Sequence, residues 1–453
     1  MTTHWAQDAV FYHVYPLGFC GAPKYNNFDA APEPRLEKLY AWMDHMQWLG
    51  VNALYLGPLF ESTRHGYDTA DYYRVDRRLG TNETLARLVE ALHARGIRVI
   101  LDGVFNHVGR DFWAFRDVQQ HGEASAYRDW FAGLRFDGHS PKGDPFAYEG
   151  WNGYYSLVKL NLRNPDVREH LLGAVEMWVR EFDIDGLRLD AADVVDLGFQ
   201  QELAAFGRRA RPGFWLVGEI IHGDYRQWAN PQALDSVTNY ECYKGLWSSH
   251  VDKNYFEIAY ALNRQFGPGG MYRDLPLYAF ADNHDVNRVA SNLDNPAHLY
   301  PLYALLFTMP GVPSIYYGSE WGIEGRKLSS SDDALRPDID LDYYVQHSPY
   351  PDLAGAVARL ARLRRDTPAL RCGDYRQLHV GHEQFAFARQ AGDACVIVAV
   401  NAAGEPAPLD LDVPLHGGEL VDLLNGDERF AVNGGRVHID AVPPYWARVL
   451  AVR

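Results

Sequence analysis

Hydrophobic positions along the chain alternate between two periods. Val10-Phe11-Tyr12-His13-Val14-Tyr15 is a compact apolar run stopped by Pro16 and reads as a strand. Leu36, Leu39, Tyr40 and Met43 then recur at helical spacing. A second strand, Val51-Asn52-Ala53-Leu54-Tyr55-Leu56, ends at Gly57-Pro58. Leu85, Leu88, Val89 and Leu92 follow the i, i+3, i+4, i+7 rule of an amphipathic helix, and Ile97 to Leu101 gives a third strand with Asp102-Gly103 behind it. From about His107 to Leu160 the alternation yields to Gly, aromatic and polar residues, which predicts an irregular inserted subdomain. Asn164-Pro165-Asp166 starts the next helix well: a capping Asn, Pro in the first turn, and an acid at the positive end of the dipole. Its buried stripe is Val167, Leu171, Leu172, Val175, Trp178, Val179 and Phe182.

The alternation then resumes. Gly186 to Leu189, Phe214 to Gly218, a weaker Ser236 to Tyr240, Leu277 to Phe280 and Pro313 to Tyr317 read as strands, with helical stretches between them and a last helix near Ala354 to Arg365. Eight strand–helix units predict an α/β fold, a (β/α)8 TIM barrel. The rival, a doubly wound open sheet, lacks its glycine-rich phosphate turn after the first strand. Beyond about Leu370 the runs become short and Gly/Pro-bounded, with Ala394 to Val400 as a buried strand, so the tail predicts a C-terminal β-sandwich. The predicted division is barrel over 1–107 and 161–370, inserted subdomain over 108–160, and sandwich over 371–453.

Composition narrows the partners. Of 453 residues, 43 are Lys or Arg and 59 Asp or Glu, a formal charge of −16 that disfavours nucleic acid and anionic membrane surfaces. The uncharged stretch Leu299 to Ser319 is broken by Pro301, Pro310, Gly311 and Pro313, so it predicts a helix followed by a buried strand, not a membrane span. No basic region precedes an apolar core at the start, and Cys20, Cys242, Cys372 and Cys395 form no Cys-x-x-Cys. Those features predict a cytoplasmic protein with reduced core thiols. Aromatic residues reach 13%, and flat rings stack on sugars and nucleobases alike; the acidic balance favours sugar.

Polar residues collect where barrel strands end, which is where such barrels build active sites. The third strand is followed by Asp102, Asn106 and His107; the fourth carries Arg188 and Asp190, two apart and so on one side of the strand. Glu219 ends the fifth, and Asn283-His284-Asp285 ends the seventh. Taken singly each has a plainer reading: Asp190 as a helix cap, His107 and His284 as structural histidines, Arg188 as an ion-pair partner, Glu219 as a loop acid. Together they suit glycoside hydrolysis, in which two carboxylates flank one bond, one attacking and one protonating the leaving oxygen. Arg188 is expected to keep Asp190 ionised, and neighbouring carboxylates to keep Glu219 protonated. Asp285 is then free to stabilise positive charge, and neutral His107 and His284 to hold sugar hydroxyls. A metal-dependent barrel hydrolase is the rival chemistry; it usually places two histidines on the first strand, which here offers only His13.

These motifs resemble those of the α-amylase family, glycoside hydrolase family 13, over almost the whole chain. Asp102-Gly103-Val104-Phe105-Asn106-His107, Asp185-Gly186-Leu187-Arg188-Leu189-Asp190, Val217-Gly218-Glu219 and Phe280-Ala281-Asp282-Asn283-His284-Asp285 are similar to its four conserved regions, in order. The resemblance implies Asp190 as nucleophile, Glu219 as acid/base and Asp285 as transition-state stabiliser, with the two reacting carboxyls about 5–5.5 Å apart and anomeric retention. His65-Gly66-Tyr67-Asp68 resembles the loop whose Tyr stacks on the sugar at the cleavage site, and Gly311 to Gly318 the eighth-strand segment. Substrate contacts are therefore expected from Tyr67, Asp68, His107, Arg188 and His284, and from Arg336 on the non-reducing side. No cofactor is implied as required. A calcium ion is allowed, in relatives sometimes held through the Asn matching Asn106.

Departures bear on specificity. Many endo-acting members place Lys-His three and four residues after the nucleophile, where this chain has Asp193-Val194; Lys159-Leu160-Asn161 resembles a segment of neopullulanases and cyclomaltodextrinases. That group often carries an N-terminal dimerisation domain, and with a barrel strand predicted from Val10 none is expected here. The expected function is hydrolysis of α-glucosidic bonds in malto-oligosaccharides or cyclic dextrins by a monomer or homodimer whose partner is the oligosaccharide. The alternatives are a transglycosylase or isomerase using the same acids, or a sugar-binding relative, which would have lost a triad member.

Overall fold

The computed structural model describes residues 4–329, 331–415 and 417–452. Eight parallel strands form the barrel: β1 (Phe11–Val14), β2 (Ala53–Leu56), β3 (Arg98–Gly103), β4 (Gly186–Leu189), β5 (Trp215–Gly218), β6 (Ser236–Val237), β7 (Tyr278–Phe280) and β8 (Val312–Tyr316). Neighbours pair in the order β6-β5-β4-β3-β2-β1-β8-β7, and a parallel bridge between Thr238 and Tyr278 closes the ring. The register sets Tyr12 beside Leu54, Leu54 beside Val99, Leu101 beside Leu187 and Leu187 beside Leu216.

Strand alternation separates two cores. Phe11, Ala53, Tyr55, Ile100, Trp215 and Val217 face inward and fill the barrel, with Phe11 stacked on Trp215 at 5.2 Å. Tyr12, Leu54, Val99, Leu101 and Leu187 belong to the outer core, packed beneath the helices. The helix Pro165–Phe182 begins as expected, with the Asn164 side chain accepting from the Asp166 N–H. Leu299–Thr308 is a helix and β8 the strand behind it; among the described residues no helix is long and apolar enough to cross a membrane.

Two excursions interrupt the barrel. After β3, the strands His107–Gly109, Gly150–Trp151 and Tyr154–Lys159 form a small antiparallel sheet beside the helix Trp113–His121. A second excursion, after β2, was not anticipated: the antiparallel pair Phe60–Ser62 and Thr69–Val75, which carries Tyr67 on its connecting loop. At Gly109 a Cβ would come within 2.4 Å of the Asp68 carbonyl oxygen, so the missing side chain lets these excursions touch.

Behind the barrel lie eight antiparallel strands in one continuous sheet: β9 (Asp374–Val380), β10 (Gln384–Ala391), β11 (Ala394–Asn401), β12 (Ala407–Asp412), β13 (Gly417–Asp422), β14 (Arg429–Asn433), β15 (Arg436–Val442) and β16 (Trp446–Val452). The sheet folds over a core of its own that includes Ala388, Ile397, Leu409, Leu420, Ile439 and Leu450. All four cysteines are free thiols; Cys20, Cys242 and Cys395 are buried as expected, whereas Cys372 is exposed.

Candidate active site

The alternation that fills the barrel also builds the site. Two residues beyond each inward apolar position, toward the carboxyl ends, the strands place His13 after Phe11, Tyr55 after Ala53, Asp102 after Ile100, Arg188 after Gly186 and Glu219 after Val217. One more step along β4 gives Asp190. Parallel-ladder bonds fix both reacting backbones: the Asp190 N–H donates to the Gly103 carbonyl (3.1 Å) and the Glu219 N–H to the Leu189 carbonyl (2.9 Å).

Arg188, buried at 4% exposure, joins the acids. Its Nη1 donates to Asp102 Oδ1 (2.8 Å) and Asp190 Oδ1 (3.0 Å), and its Nη2 lies 2.8 Å from Glu219 Oε2. The expected division of charge is thereby corrected, because the guanidinium serves both reacting carboxyls and does not favour Asp190 alone. Burial pushes the Asp190 carboxyl well above the usual carboxylate range; the charges of Glu219, Asp102 and Asp285 add to that push, and Arg188 opposes it. Glu219 is further held by the Ala191 N–H (3.1 Å to Oε2) and the Tyr240 hydroxyl (3.4 Å to Oε1). Ala191 has φ 45°, a left-handed turn immediately after Asp190.

Asp285 sits across the mouth. His284 Nε2 lies 3.0 Å from its Oδ2, and Arg336 Nη2 donates to its Oδ1 at 2.9 Å. Burial pushes this carboxyl up, but His284, Arg336 and Arg188 outweigh burial and hold it well below the usual range. His284 Nε2 also meets the Tyr67 hydroxyl, and the two rings stack at 5.5 Å, inclined by 10°. His107 is neutral: burial pushes its pKa down to about 3. The Asn106 side-chain amide nitrogen lies 3.2 Å from His107 Nδ1, and the buried Nε2 lies 3.9 Å from Asp190 Oδ2. A neutral imidazole beside the nucleophile is suited to a substrate hydroxyl.

Of the expected residues, Asp190, Glu219, Asp285, Arg188, His107, His284 and Tyr67 converge. Two differ in what they touch. Asp68 Oδ1 accepts from the backbone N–H groups of Arg64 and His65 (3.2 and 3.1 Å), so its carboxylate braces the loop that carries Tyr67. Arg336 is spent on Asp285, the His284 carbonyl (3.0 Å) and Asp332 (3.3 Å), and its guanidinium lies over the Tyr15 ring at 4.6 Å. Sequence reading gave no role to Asp102, the fully buried hub that accepts from Tyr55 (2.9 Å), Tyr67 (3.0 Å) and Arg188. It also passed over Tyr240 and over Asn283, whose amide donates to the Tyr240 hydroxyl at 3.1 Å. The two-residue step from Ile100 to Asp102 was the available signal for Asp102; for Tyr240 there was none. Asn106, considered as a calcium ligand, engages His107, and among the described residues no group of three or more His, Cys, Asp or Glu side chains gathers to hold a metal ion.

The family described as alpha amylase, catalytic domain, matches residues 36–347, and the neopullulanase-like C-terminal domain matches residues 375–450. A cyclomaltodextrinase from a Bacillus species is 34% identical over 420 residues, 88% of this chain and 73% of its own. Neopullulanase 2 of Thermoactinomyces vulgaris is 33% identical, across 94% of this chain and 75% of its own. The ligand-free structure of the cyclic α-maltosyl-(1→6)-maltose hydrolase from Arthrobacter globiformis superposes with a TM-score of 0.82 at 27% identity, covering 100% of both chains. Matched in sequence over most of its length and in fold throughout, the chain belongs to the α-amylase family of glycoside hydrolases.

Proposed function

We propose that the protein hydrolyses α-glucosidic bonds of malto-oligosaccharides or cyclic dextrins with retention of anomeric configuration. The observation that carries this reading is that Arg188 gathers Asp190 and Glu219 on neighbouring nitrogens, with Asp285 facing them. A retaining pair stands about 5–5.5 Å apart and an inverting pair about 6.5–9.5 Å, so sharing one guanidinium supports the retaining course. The cyclomaltodextrinase, the neopullulanase and the cyclic α-maltosyl-(1→6)-maltose hydrolase are named for cyclic dextrins or related glucans, which supports the substrate class.

In this reading Asp190 attacks the anomeric carbon as the bond to the leaving oxygen breaks, and Glu219 gives that oxygen its proton. A covalent glycosyl–Asp190 ester results. Glu219, now a carboxylate, takes a proton from water; the hydroxide oxygen bonds to the anomeric carbon and the Asp190 carboxylate leaves. The course needs one proton on the pair, carried by Glu219 when sugar arrives, with Arg188 in reach of both carboxyls. Asp285, kept ionised, stabilises the positive ring at both transition states.

Maltotriose, β-cyclodextrin, pullulan and starch, with products separated by chromatography and the first-formed anomer read by proton NMR, test the proposal. Cleavage of maltotriose or cyclodextrin with the α-anomer appearing first is expected, and Asp190→Asn and Glu219→Gln each lose at least about 10³-fold in kcat while melting near the parent temperature. First appearance of the β-anomer refutes retention. Products longer than the substrate would move the reading to transglycosylation on the same acids.

A further inference from the structure

Between Gly21 and Pro34 the chain that follows β1 forms no helix or strand, yet it is firmly anchored. Arg78, itself 4% exposed and paired with Asp76 at 2.6 Å, donates to the carbonyls of Pro23 (2.9 Å), Lys24 (3.3 Å) and Arg64 (2.8 Å). The Asn26 amide donates to Glu61 (2.6 Å) and to the Ser62 carbonyl (2.8 Å), and its N–H to the Thr63 carbonyl (2.9 Å). Ordering an irregular segment costs conformational entropy for every residue. What this segment holds out is Tyr25, 64% exposed, with the Arg64 guanidinium over its ring at 4.9 Å.

The position of Tyr25 follows from its neighbours. Arg64 immediately precedes His65, whose carbonyl accepts from the Tyr15 hydroxyl (2.7 Å), and Tyr15 stacks on His284 at 5.9 Å. On the other side Lys24 pairs with Asp333, next to Asp332, which shares Arg336 with Asp285. Tyr25 therefore stands on the rim, reached from the site along both the Tyr67 loop and the Arg336 loop. In a ring of eight strands β1 is diametrically opposite β5, and the segment that carries Tyr25 leaves the barrel from the carboxyl end of β1. Glu219 protonates the leaving oxygen; the released arm departs on its side, and the retained arm of the glucan extends toward β1.

We propose that Tyr25 is a specificity-determining residue for the retained arm, an aromatic platform braced by Arg64 on which a glucose unit beyond the reacting one stacks. This rests on the α-glucan reading above. Release of nitrophenol from 4-nitrophenyl α-glucoside and from 4-nitrophenyl α-maltotrioside isolates the retained arm, because the leaving group is constant. The expected result is a wild-type kcat/KM ratio that favours the maltotrioside, a Tyr25→Ala ratio lower by roughly tenfold, the loss of one ring contact, and a Tyr25→Phe ratio within about twofold of the parent. Melting of each variant near the parent temperature shows that the fold is kept. An unchanged ratio in Tyr25→Ala, or a wild-type ratio near one, overturns the proposal while leaving the α-glucan reading intact. No nitrophenol from either substrate, together with no cleavage of maltotriose, removes the α-glucan reading and this inference with it.

Discussion

Arg336 shows how one cation sets the state of another residue. Its Nη2 reaches Asp285 Oδ1 at 2.9 Å, and its guanidinium is confined by Tyr15, the His284 carbonyl and Asp332. With burial pushing the Asp285 carboxyl up, its ionisation depends on His284, Arg336 and Arg188 together. Arg336→Met removes one guanidinium charge without adding bulk, so the pKa of Asp285 rises toward the ordinary carboxylate range and its carboxylate loses a partner that orients it. Loss of this preorganised arrangement at the reacting ring lowers kcat by about 10²–10³-fold. Steady-state rates at neutral pH check this; a kcat within about twofold of the parent contradicts the assigned role. The strand-end acids and Arg188 were legible in the sequence because strand period two carries the inward face from apolar to polar. Tyr55 was not, since a tyrosine inside an apolar strand reads as core, and only the fold shows its hydroxyl on Asp102. The sharing of Arg188 between Asp190 and Glu219 was equally hidden, because sequence spacing gives the neighbour two residues away and not the one on the next strand.

At the scale of elements, the join between barrel and C-terminal sheet depends on buried arginines that have no carboxylate against them. Arg389, on β10, donates to the Thr308 carbonyl (2.7 Å) and twice to the Gly373 carbonyl (3.2 and 2.9 Å). Arg364 donates to the carbonyls of Phe307 (3.1 Å) and Leu370 (2.9 Å). These oxygens end the helices Leu299–Thr308 and Pro368–Cys372, so negative dipole ends meet positive side chains. Burial pulls Arg364 down to about 9 and Arg389 down to about 10, still charged at neutral pH. Arg389→Leu leaves two buried carbonyls without donors, and a loss of about 3 kcal/mol in urea unfolding is expected; a change below about 1 kcal/mol would show that the carbonyls find other donors. This arrangement explains why β11 was readable from sequence and β10 was not. Val396-Ile397-Val398 is apolar without interruption, whereas Gln384-Phe385-Ala386-Phe387-Ala388-Arg389 ends its alternation on a charge that looks like a strand boundary. The pair Phe60–Ser62 and Thr69–Val75 was missed likewise, its alternation masked by Glu61, Asp71 and Arg74.

The whole molecule shares one outer core, which runs from Leu54 and Val99 in the barrel through Val357 and Leu360 to Phe385, Val398 and Val449 of the C-terminal sheet. Neutral histidines lie within this continuous interior, and they set its tolerance of acid. Burial pushes His107 and His250 each down to about 3, with His250 fixed between the Leu246 carbonyl (2.6 Å) and the Tyr255 hydroxyl (3.0 Å). His298, whose ring lies 5.5 Å from His250, is lowered by burial too and bonds the Ala402 carbonyl at 3.1 Å. An unfolded histidine titrates near 6.5, so between that pH and 3 the unfolded chain binds more protons than the native one, and stability falls as pH falls. By pH 5 each of His107 and His250 contributes a loss of about 2 kcal/mol. His93 acts in the opposite sense: its bond to Asp185 raises its pKa, so its contribution is complete below 6.5 and is lost as pH rises. The raised Asp190 also favours the native state on the acid side, whereas the lowered Asp285 and Asp185 weaken it only below the ordinary carboxylate range. Burial lowers His13, His65 and His170 as well, so lowered histidines outnumber the opposing groups; the free energy of unfolding in urea should drop between pH 7 and pH 5, and His250→Gln, though less stable at pH 7, should show a shallower drop. A parent whose stability is flat across that interval would mean that these histidines admit protons without opening the core, and the neutral interior described here would be wrong.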